Sequence, residues 1–404
     1  MRVVVASPFV PWPLADGGSI RTFHLLRHAA REVDVTLLAV SSGADDPQAL
    51  GALREAIGSV EILPRSKPSL LRTLTRAKIE RWFASEALER RLAQIDRNRQ
   101  ADLFELLELP VARTAPSGLR TPVLLQHHKL DTDLFARLAG ERPSAAQRFD
   151  LAKLRRLERS AARLHPHHLT CSAEDRALLL ERYPDLDIAV LPSGYDPDHF
   201  HPDGTTRDPH TVLFLGSLSY GPNVDGLRWF VDRIWPSVRE RRPQTRLQVV
   251  GREPAPEVQA LASDSIEIVG PVPDVRPYLR AAACLAVPLR VGGGTRLKIV
   301  EAMGTATPVL STRVGAEGLE LTDGQELRLA DSPEAFAGAL LQLLDDPREA
   351  AALGRRGLTE AEHRFQWSAL AARLVACWRR VAAGQRAVTE DDREPTLGAA
   401  APRP

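Results

Sequence analysis

Apolar positions along this chain come in short blocks rather than one long stripe. In the first half, Arg2–Ala6, Val33–Val40, Val60–Leu63, Leu103–Leu109, Pro122–Gln126, His168–Cys171 and Ile188–Leu191 read as strands. Arg2–Ala6, apolar at nearly every position, suits a parallel strand covered on both faces. Helical spacing fills the gaps at Ile20–Ala30, Pro47–Ile57, Leu151–Arg163 and Ala173–Arg182. Strands alternating with helices predict right-handed crossovers and a parallel sheet.

The pattern then stops and starts again. Pro192–Asp208 is rich in Pro, Gly and Asp and reads as a linker or hinge. A second series follows, with strands at Thr211–Leu218, Arg246–Val250, Glu267–Gly270, Cys284–Leu289, Val309–Ser311 and Leu327–Ala330. Helices are expected at Val224–Arg239, Val275–Ala283, Thr295–Met303 and Glu334–Leu344. The sequence therefore divides into a first α/β domain (1–191), a linker (192–208), a second α/β domain (209–357), terminal helices (358–386) and a tail (387–404). A chain of 404 residues is too long for one core, which agrees with two domains.

Composition narrows the function. A net charge of +1 gives no global field for nucleic acid. Cys171, Cys284 and Cys377 lie far apart and offer neither a disulfide framework nor metal spacing. The apolar run near the start is broken by Pro8, Pro11 and Pro13, so no signal peptide or membrane span is read there. The expectation is a cytoplasmic protein, with the inner face of the membrane as an open alternative. Residues 65–99 bear on that alternative. They hold ten Lys or Arg against four Asp or Glu, with Leu70, Leu71, Leu74, Trp82, Phe83, Leu88, Leu92 and Ile95 interspersed. The segment reads either as helices packed on the sheet or as peripheral contact with an anionic membrane.

Two glycine loops carry the candidate chemistry. Gly292-Gly293-Gly294 follows a strand and opens a helix. Such a loop lets a ligand approach the backbone, and the unpaired amides of the helix start attract anions. Lys298 and Glu301 fall three apart, on one stripe below Gly294 and Thr295. Bare amides, then an ammonium, then a carboxylate match a sugar-phosphate, a diphosphate and a ribose with its two hydroxyls. Arg296 reaches that stripe only if the helix starts after it. An ordinary glycine-rich turn with a surface Lys–Glu pair fits the same residues. Asp16-Gly17-Gly18-Ser19 forms a second loop at a helix start, with Arg21 in the first turn. His127-His128-Lys129 follows a strand, where open α/β sheets place ligand contacts. Asp131-Thr132-Asp133, Asp185-Leu186-Asp187 and Asp196-Pro197-Asp198 each form an Asp-x-Asp, but none sits in a nucleotide-binding context, and no metal is assigned.

GGGTRLKIVEAMGTATPVLST resembles the donor-binding motif of retaining, family-4 type glycosyltransferases of the GT-B fold. MRVVVASPFVPWPLADGGSIRTFHLL, LQHHKLD, LPSGYDPDHFHP and VLFLGSLSYGPNVDGLRWF are similar to other landmarks of that family. The resemblance spans roughly residues 1–380. It implies two Rossmann-like domains facing a cleft, with a terminal helix crossing back to the first. It implies transfer of a sugar from a nucleotide-diphosphate sugar to an acceptor hydroxyl, with retention and without a metal or other cofactor. The acceptor would be a sugar, a lipid-linked molecule or another small molecule. By the same resemblance, Gly292, Gly293, Gly294, Thr295, Arg296, Lys298 and Glu301 would bind the donor, together with Gly216, Ser217 and Asn223. Gly17, Gly18 and Arg21 would face the acceptor side. His128 matches the family histidine at the donor sugar or acceptor, and His128, Lys298 and Arg296 are the candidate catalytic residues. Two departures stand out. Gly293 falls where the family often has the first of two glutamates eight positions apart. Ser217 and Asn223 fall where many members have Arg and Lys. A sugar-nucleotide epimerase of the same fold, or a non-catalytic nucleotide-sugar binder, fits the same landmarks. A dehydrogenase fits less well, since no Gly-x-Gly-x-x-Gly follows a strand.

Overall fold

A computed structural model describes residues 1–41, 43, 47–67, 75–115, 118–140 and 142–387. The first sheet contains β1 (Arg2–Ser7), β2 (Asp34–Val40), β3 (Ser59–Leu63), β4 (Leu103–Leu107), β5 (Val123–Gln126), β6 (His167–Thr170) and β7 (Asp187–Val190). Their spatial order is β3-β2-β1-β4-β5-β6-β7, and every pairing is parallel. The second sheet contains β8 (Asp208–Leu215), β9 (Arg246–Val250), β10 (Ile266–Gly270), β11 (Ala282–Val287), β12 (Val309–Ser311) and β13 (Arg328–Leu329). Its order is β10-β9-β8-β11-β12-β13, again parallel throughout. Each is a doubly wound sheet whose order reverses beside its first strand, between β1 and β4 and between β8 and β11. Crevices at such reversals are where open α/β sheets hold ligands.

The apolar blocks do what their pattern requires. All five residues of β4 are buried, as are the last five of β1. The helix Trp367–Ala382 belongs to the core of the first domain although it follows the second in sequence. Trp367, Leu370, Leu374, Trp378 and Val381 pack with Val3, Val5, Leu25 and Leu37. The crossing point is tied to the linker. The Tyr195 amide donates to the Phe365 carbonyl at 2.8 Å, and the Trp367 amide donates to the Tyr195 carbonyl at 3.1 Å.

Several elements differ from expectation for identifiable reasons. The strand expected over Leu103–Leu109 ends at Leu107, because Glu108 turns the chain with φ 69°. The helix expected over Val224–Arg239 is two, Gly221–Arg233 and Trp235–Arg241. Pro236 has no N–H to continue the first helix and sits where a new one starts. The terminal helices begin earlier than expected, as Pro347–Arg364 and then Trp367–Ala382. A helix at Asp131–Ala139 was not anticipated. Its Asp-x-Asp pair occupies the first turn, where the helix dipole favours carboxylates, and Asp133 pairs with Arg182 at 2.5 Å. The other two pairs also serve the fold: Asp187 meets His167 at 2.8 Å and Asp196 meets His199 at 3.2 Å.

Within the basic segment, Leu88, Leu92 and Ile95 pack on the first sheet, while Trp82 is exposed. Leu70, Leu71 and Leu74 lie outside the described residues, as do residues 388–404 of the expected tail. Ala387, at the start of that tail, is fully buried.

Gly194 is where linker and crossing helix touch. A Cβ there would lie 2.5 Å from the Phe365 carbonyl oxygen. Gly194→Ala should therefore cost about 1–3 kcal/mol through overpacking. A lowered midpoint in thermal or denaturant unfolding checks this, and an unchanged midpoint would mean the linker is free to shift.

Candidate functional site

The C-terminal edges of the two sheets face each other across a cleft of about 1070 Å³. It is lined from both sides, by Gly17, Gly18, Glu108, His128 and Lys129 of the first domain and by Gly216, Asn223, Gly292, Lys298 and Glu301 of the second. The β8–β11 reversal forms the floor on the second domain's side.

Lys298 and Glu301 lie on the helix Leu297–Gly304, which leaves the glycine loop. The Lys298 ammonium donates to Asn223 Oδ1 at 3.1 Å and lies 5.3 Å from the Phe214 ring centroid. Asn223 in turn donates to the Ser217 carbonyl at 2.9 Å. The two uncharged positions after β8 thus form a bracket for the one lysine beneath them. Gly216 makes room for it: a Cβ there would come within 2.7 Å of both Lys298 Nζ and Asn223 Nδ2. Burial pushes the Lys298 pKa down to about 7, with Arg296 adding to the effect and Glu301 opposing it. Burial pushes Glu301 up to about 7, with Lys298 opposing.

The helix starts at Leu297, with Arg296 as its N-cap. That satisfies the condition for Arg296 to face the loop, but its guanidinium is already committed. It donates to the Gly293 carbonyl at 2.6 Å, to the Gly294 carbonyl and to the Val314 carbonyl at 3.2 Å. Arg296 clamps the loop from behind. Gly294, at φ 70°, brings the loop against the first domain, where a Cβ would overlap the His128 carbonyl. Thr295 Oγ1 accepts from the Ser193 amide at 3.0 Å and joins the loop to the linker.

On the facing wall, Asp16 caps the helix Gly17–Ala29, accepting from the Ser19 amide at 3.0 Å. Gly17 lies against Leu297 and Gly18 against His128. Arg21 is almost fully buried and serves the hinge, donating to the carbonyls of Pro192 at 2.6 Å and Leu191 at 2.8 Å. When the Gln126 amide nitrogen faces Glu105, its oxygen accepts from Arg21 Nε at 3.0 Å and from His128 Nε2 at 3.2 Å. The ring of His128 is fixed in this way, with Nδ1 toward Glu108 Oε1 at 3.1 Å. Lys129 Nζ lies 3.3 Å from Glu108 and 3.4 Å from Asp131. Sequence reasoning missed Glu108 and gave Lys129 no role of its own. Their signal was position alone, one residue past β4 and three past β5. Arg252 and Arg137 were missed as well. Arg252 donates across the cleft to the Ala15 carbonyl. Arg137 donates to the Gly292 carbonyl at 2.9 Å and pairs with Glu317 at 3.1 Å. Among the described residues, no group of three His, Cys, Asp or Glu is placed to hold a metal ion.

Residues 209–346, which hold this floor, match the family described as glycosyl transferases group 1. The chain is 30% identical over 218 residues to a GDP-mannose-dependent α-(1-6)-phosphatidylinositol monomannoside mannosyltransferase of Mycolicibacterium smegmatis, covering 48% of this chain and 56% of that one. It spans about half the length of the curated relatives it first matches. Sucrose-phosphate synthase from Thermosynechococcus elongatus superposes with TM-score 0.72 at 18% identity, over 95% of this chain and 100% of that one. Anabaena HepE, in complex with UDP-glucose, superposes with TM-score 0.66 at 14% identity, over 93% and 98%. The two parallel-sheet domains together form the GT-B fold.

A lysine whose pKa falls from 10.5 to about 7 on folding destabilises the native state. The unfolded chain binds more protons between those values, so the cost is full below pH 7 and fades as pH rises toward 10.5. Lys298→Met should therefore raise the thermal midpoint of the ligand-free protein near pH 6, with the gain shrinking by pH 10. Equal gains at both pH values would show that Lys298 stays solvated.

Proposed function

We propose that this protein transfers a sugar from a nucleoside-diphosphate donor to an acceptor hydroxyl, with retention. The observation that carries the proposal is the placement of Lys298 and Glu301 at the β8–β11 reversal of the second domain, facing His128 across the cleft. Glu301 would accept from the ribose hydroxyls. Lys298 and the first-turn amides of its helix would hold the diphosphate and stabilise the leaving nucleotide as charge develops on it. Arg296 would act through the loop it clamps. Attack would come on the donor's own face, and closing of the domains would limit donor hydrolysis. No step in this proposal needs a metal. An epimerase of this fold would instead turn over donor with no acceptor present.

A hydrogen bond to a charged group contributes ~1.5–3 kcal/mol. Glu301→Ala should weaken UDP or GDP binding at least tenfold, measured by thermal shift or calorimetry. A chelator should leave wild-type binding unchanged. No response from the wild type to either nucleotide would sink the proposal.

The proposed acceptor side extends to a membrane. Trp82 and Phe149 are 53% and 61% exposed. Each lies under a lysine, Lys78 Nζ 4.7 Å from the Trp82 centroid and Lys153 Nζ 4.4 Å from that of Phe149. The Lys78 amide donates to Asp150 at 2.9 Å, which brings the helices Lys78–Trp82 and Ala145–Leu164 together. Exposed aromatics flanked by cations suit an anionic bilayer surface. Among the described residues no helix is long and apolar enough to cross a membrane, so contact would be peripheral. A Trp82→Ala/Phe149→Ala variant should bind phosphatidylglycerol vesicles several-fold less than wild type, with nucleotide binding intact. Equal vesicle binding by the two proteins would rule this face out.

A further inference from the structure

Glu108 stands one residue past β4, beside the reversal of the first sheet. Its backbone lies at φ 69°, ψ 149°, a region in which essentially only glycine is at ease. Its side chain lines the cleft and is 8% exposed. One carboxylate oxygen, Oε1, faces His128 Nδ1 at 3.1 Å and Lys129 Nζ at 3.3 Å. The other, Oε2, is buried and accepts no hydrogen bond from the described residues. A strained backbone and an unmet acceptor at the same residue are both unfavourable in the free protein. A ligand that donates a hydrogen bond to Oε2 would relieve the second.

The surroundings restrict what that ligand group is. A carboxylate repels phosphate, and the cation suited to phosphate, Lys298, belongs to the opposite domain. Burial alone would raise the Glu108 pKa, but Lys129 and His128 hold it below the usual carboxylate range. A carboxyl held ionised in this way is a poor proton acceptor and a good acceptor of neutral hydroxyl donors. The wall facing it is the glycine loop. Gly293 offers no side chain there, and a Cβ at that position would lie 3.5 Å from Lys129 Cβ. Lys129 therefore occupies the space opposite Gly293 and carries Glu108 with it.

We propose that Glu108 is a specificity-determining residue that accepts hydrogen bonds from ring hydroxyls of the donor's sugar, supplied from the first domain across from Gly293. Lys129 and His128 position its carboxylate. This inference rests on the transferase reading above and adds the group that reads the sugar.

The test is calorimetric titration of wild type and Glu108→Gln with UDP, UDP-glucose, GDP and GDP-mannose. Glu108→Gln should bind the free diphosphates within about twofold of wild type and the preferred sugar conjugate at least tenfold more weakly, as expected for loss of a bond to a charged group. Glu108→Gly suits the backbone and should show the same selective loss, which keeps the test open if the glutamine variant folds poorly. An unchanged ratio of conjugate to free diphosphate affinity overturns the inference, as does an equal loss of both. A wild type that binds the conjugates no tighter than the free diphosphates also overturns it, since Glu108 then has no sugar contact to supply. A wild type that binds none of the four removes the transferase reading itself.

Discussion

The structure turns on an ammonium held where no carboxylate neutralises it. Among the described residues Lys298 makes no ion pair, and its Nζ has one amide oxygen for a partner. A partly buried cation in that position is unfavourable, because taking a charge out of water carries a desolvation penalty. The sequence around it is shaped to accept the cost. Gly216 leaves the space, Asn223 supplies the oxygen, and the apolar residues of the helix Leu297–Gly304 fix its angle by burying Ile299, Val300, Ala302 and Met303. An incoming dianion would convert this unfavourable site into a paired one.

The loops that frame this cation are set by contact between the domains. Gly294 touches the His128 carbonyl, Gly17 touches Leu297, and Thr295 bonds to the linker at Ser193. The clamp from Arg296 explains how three consecutive glycines hold one shape. A guanidinium offers five donors in a rigid fork, enough to hold three carbonyls of a loop that has no side chains of its own. The same solution appears at the hinge, where buried Arg21 gathers the carbonyls of Leu191 and Pro192. Both arginines looked like ligand cations in the sequence. Both act on backbone, and periodicity carries no information about which acceptor a long side chain will find.

Much of the architecture was legible because burial on both faces leaves a local mark. Each strand of both sheets falls within or beside a segment that reads as a strand, and the linker shows as a break in that rhythm. What the sequence hid depends on contacts distant along the chain. The helix Asp131–Ala139 opens with acidic residues that resemble a metal pair until Lys129 and Arg182 are brought beside them. Glu108 sat inside an apparent strand, because only its positive φ ends that strand. The loop Gly292–Gly294 and the stripe of Lys298 and Glu301 were legible because both lie within one helix and the turn before it. The pairing of Lys298 with Asn223, 75 positions away, was not.

Charge is divided across the cleft, and the division has a consequence for orientation. The second domain presents Lys298 and a helix N-terminus, so it favours the anionic part of a ligand. The first presents Glu108 and Asp131, bridged by Lys129, so it favours hydroxyls over phosphate. A molecule with a diphosphate at one end and a neutral polyol at the other fits this arrangement in one direction only. One of the contacts between the walls near it is modest. Arg137 and Glu317 are partly exposed, and pairs of that kind contribute ~0–1 kcal/mol. Separating the walls there costs little, while the helix Trp367–Ala382 keeps the two domains joined through the apolar core of the first. On the proposed reading, the orientation of what enters is decided by charges already in place on each side.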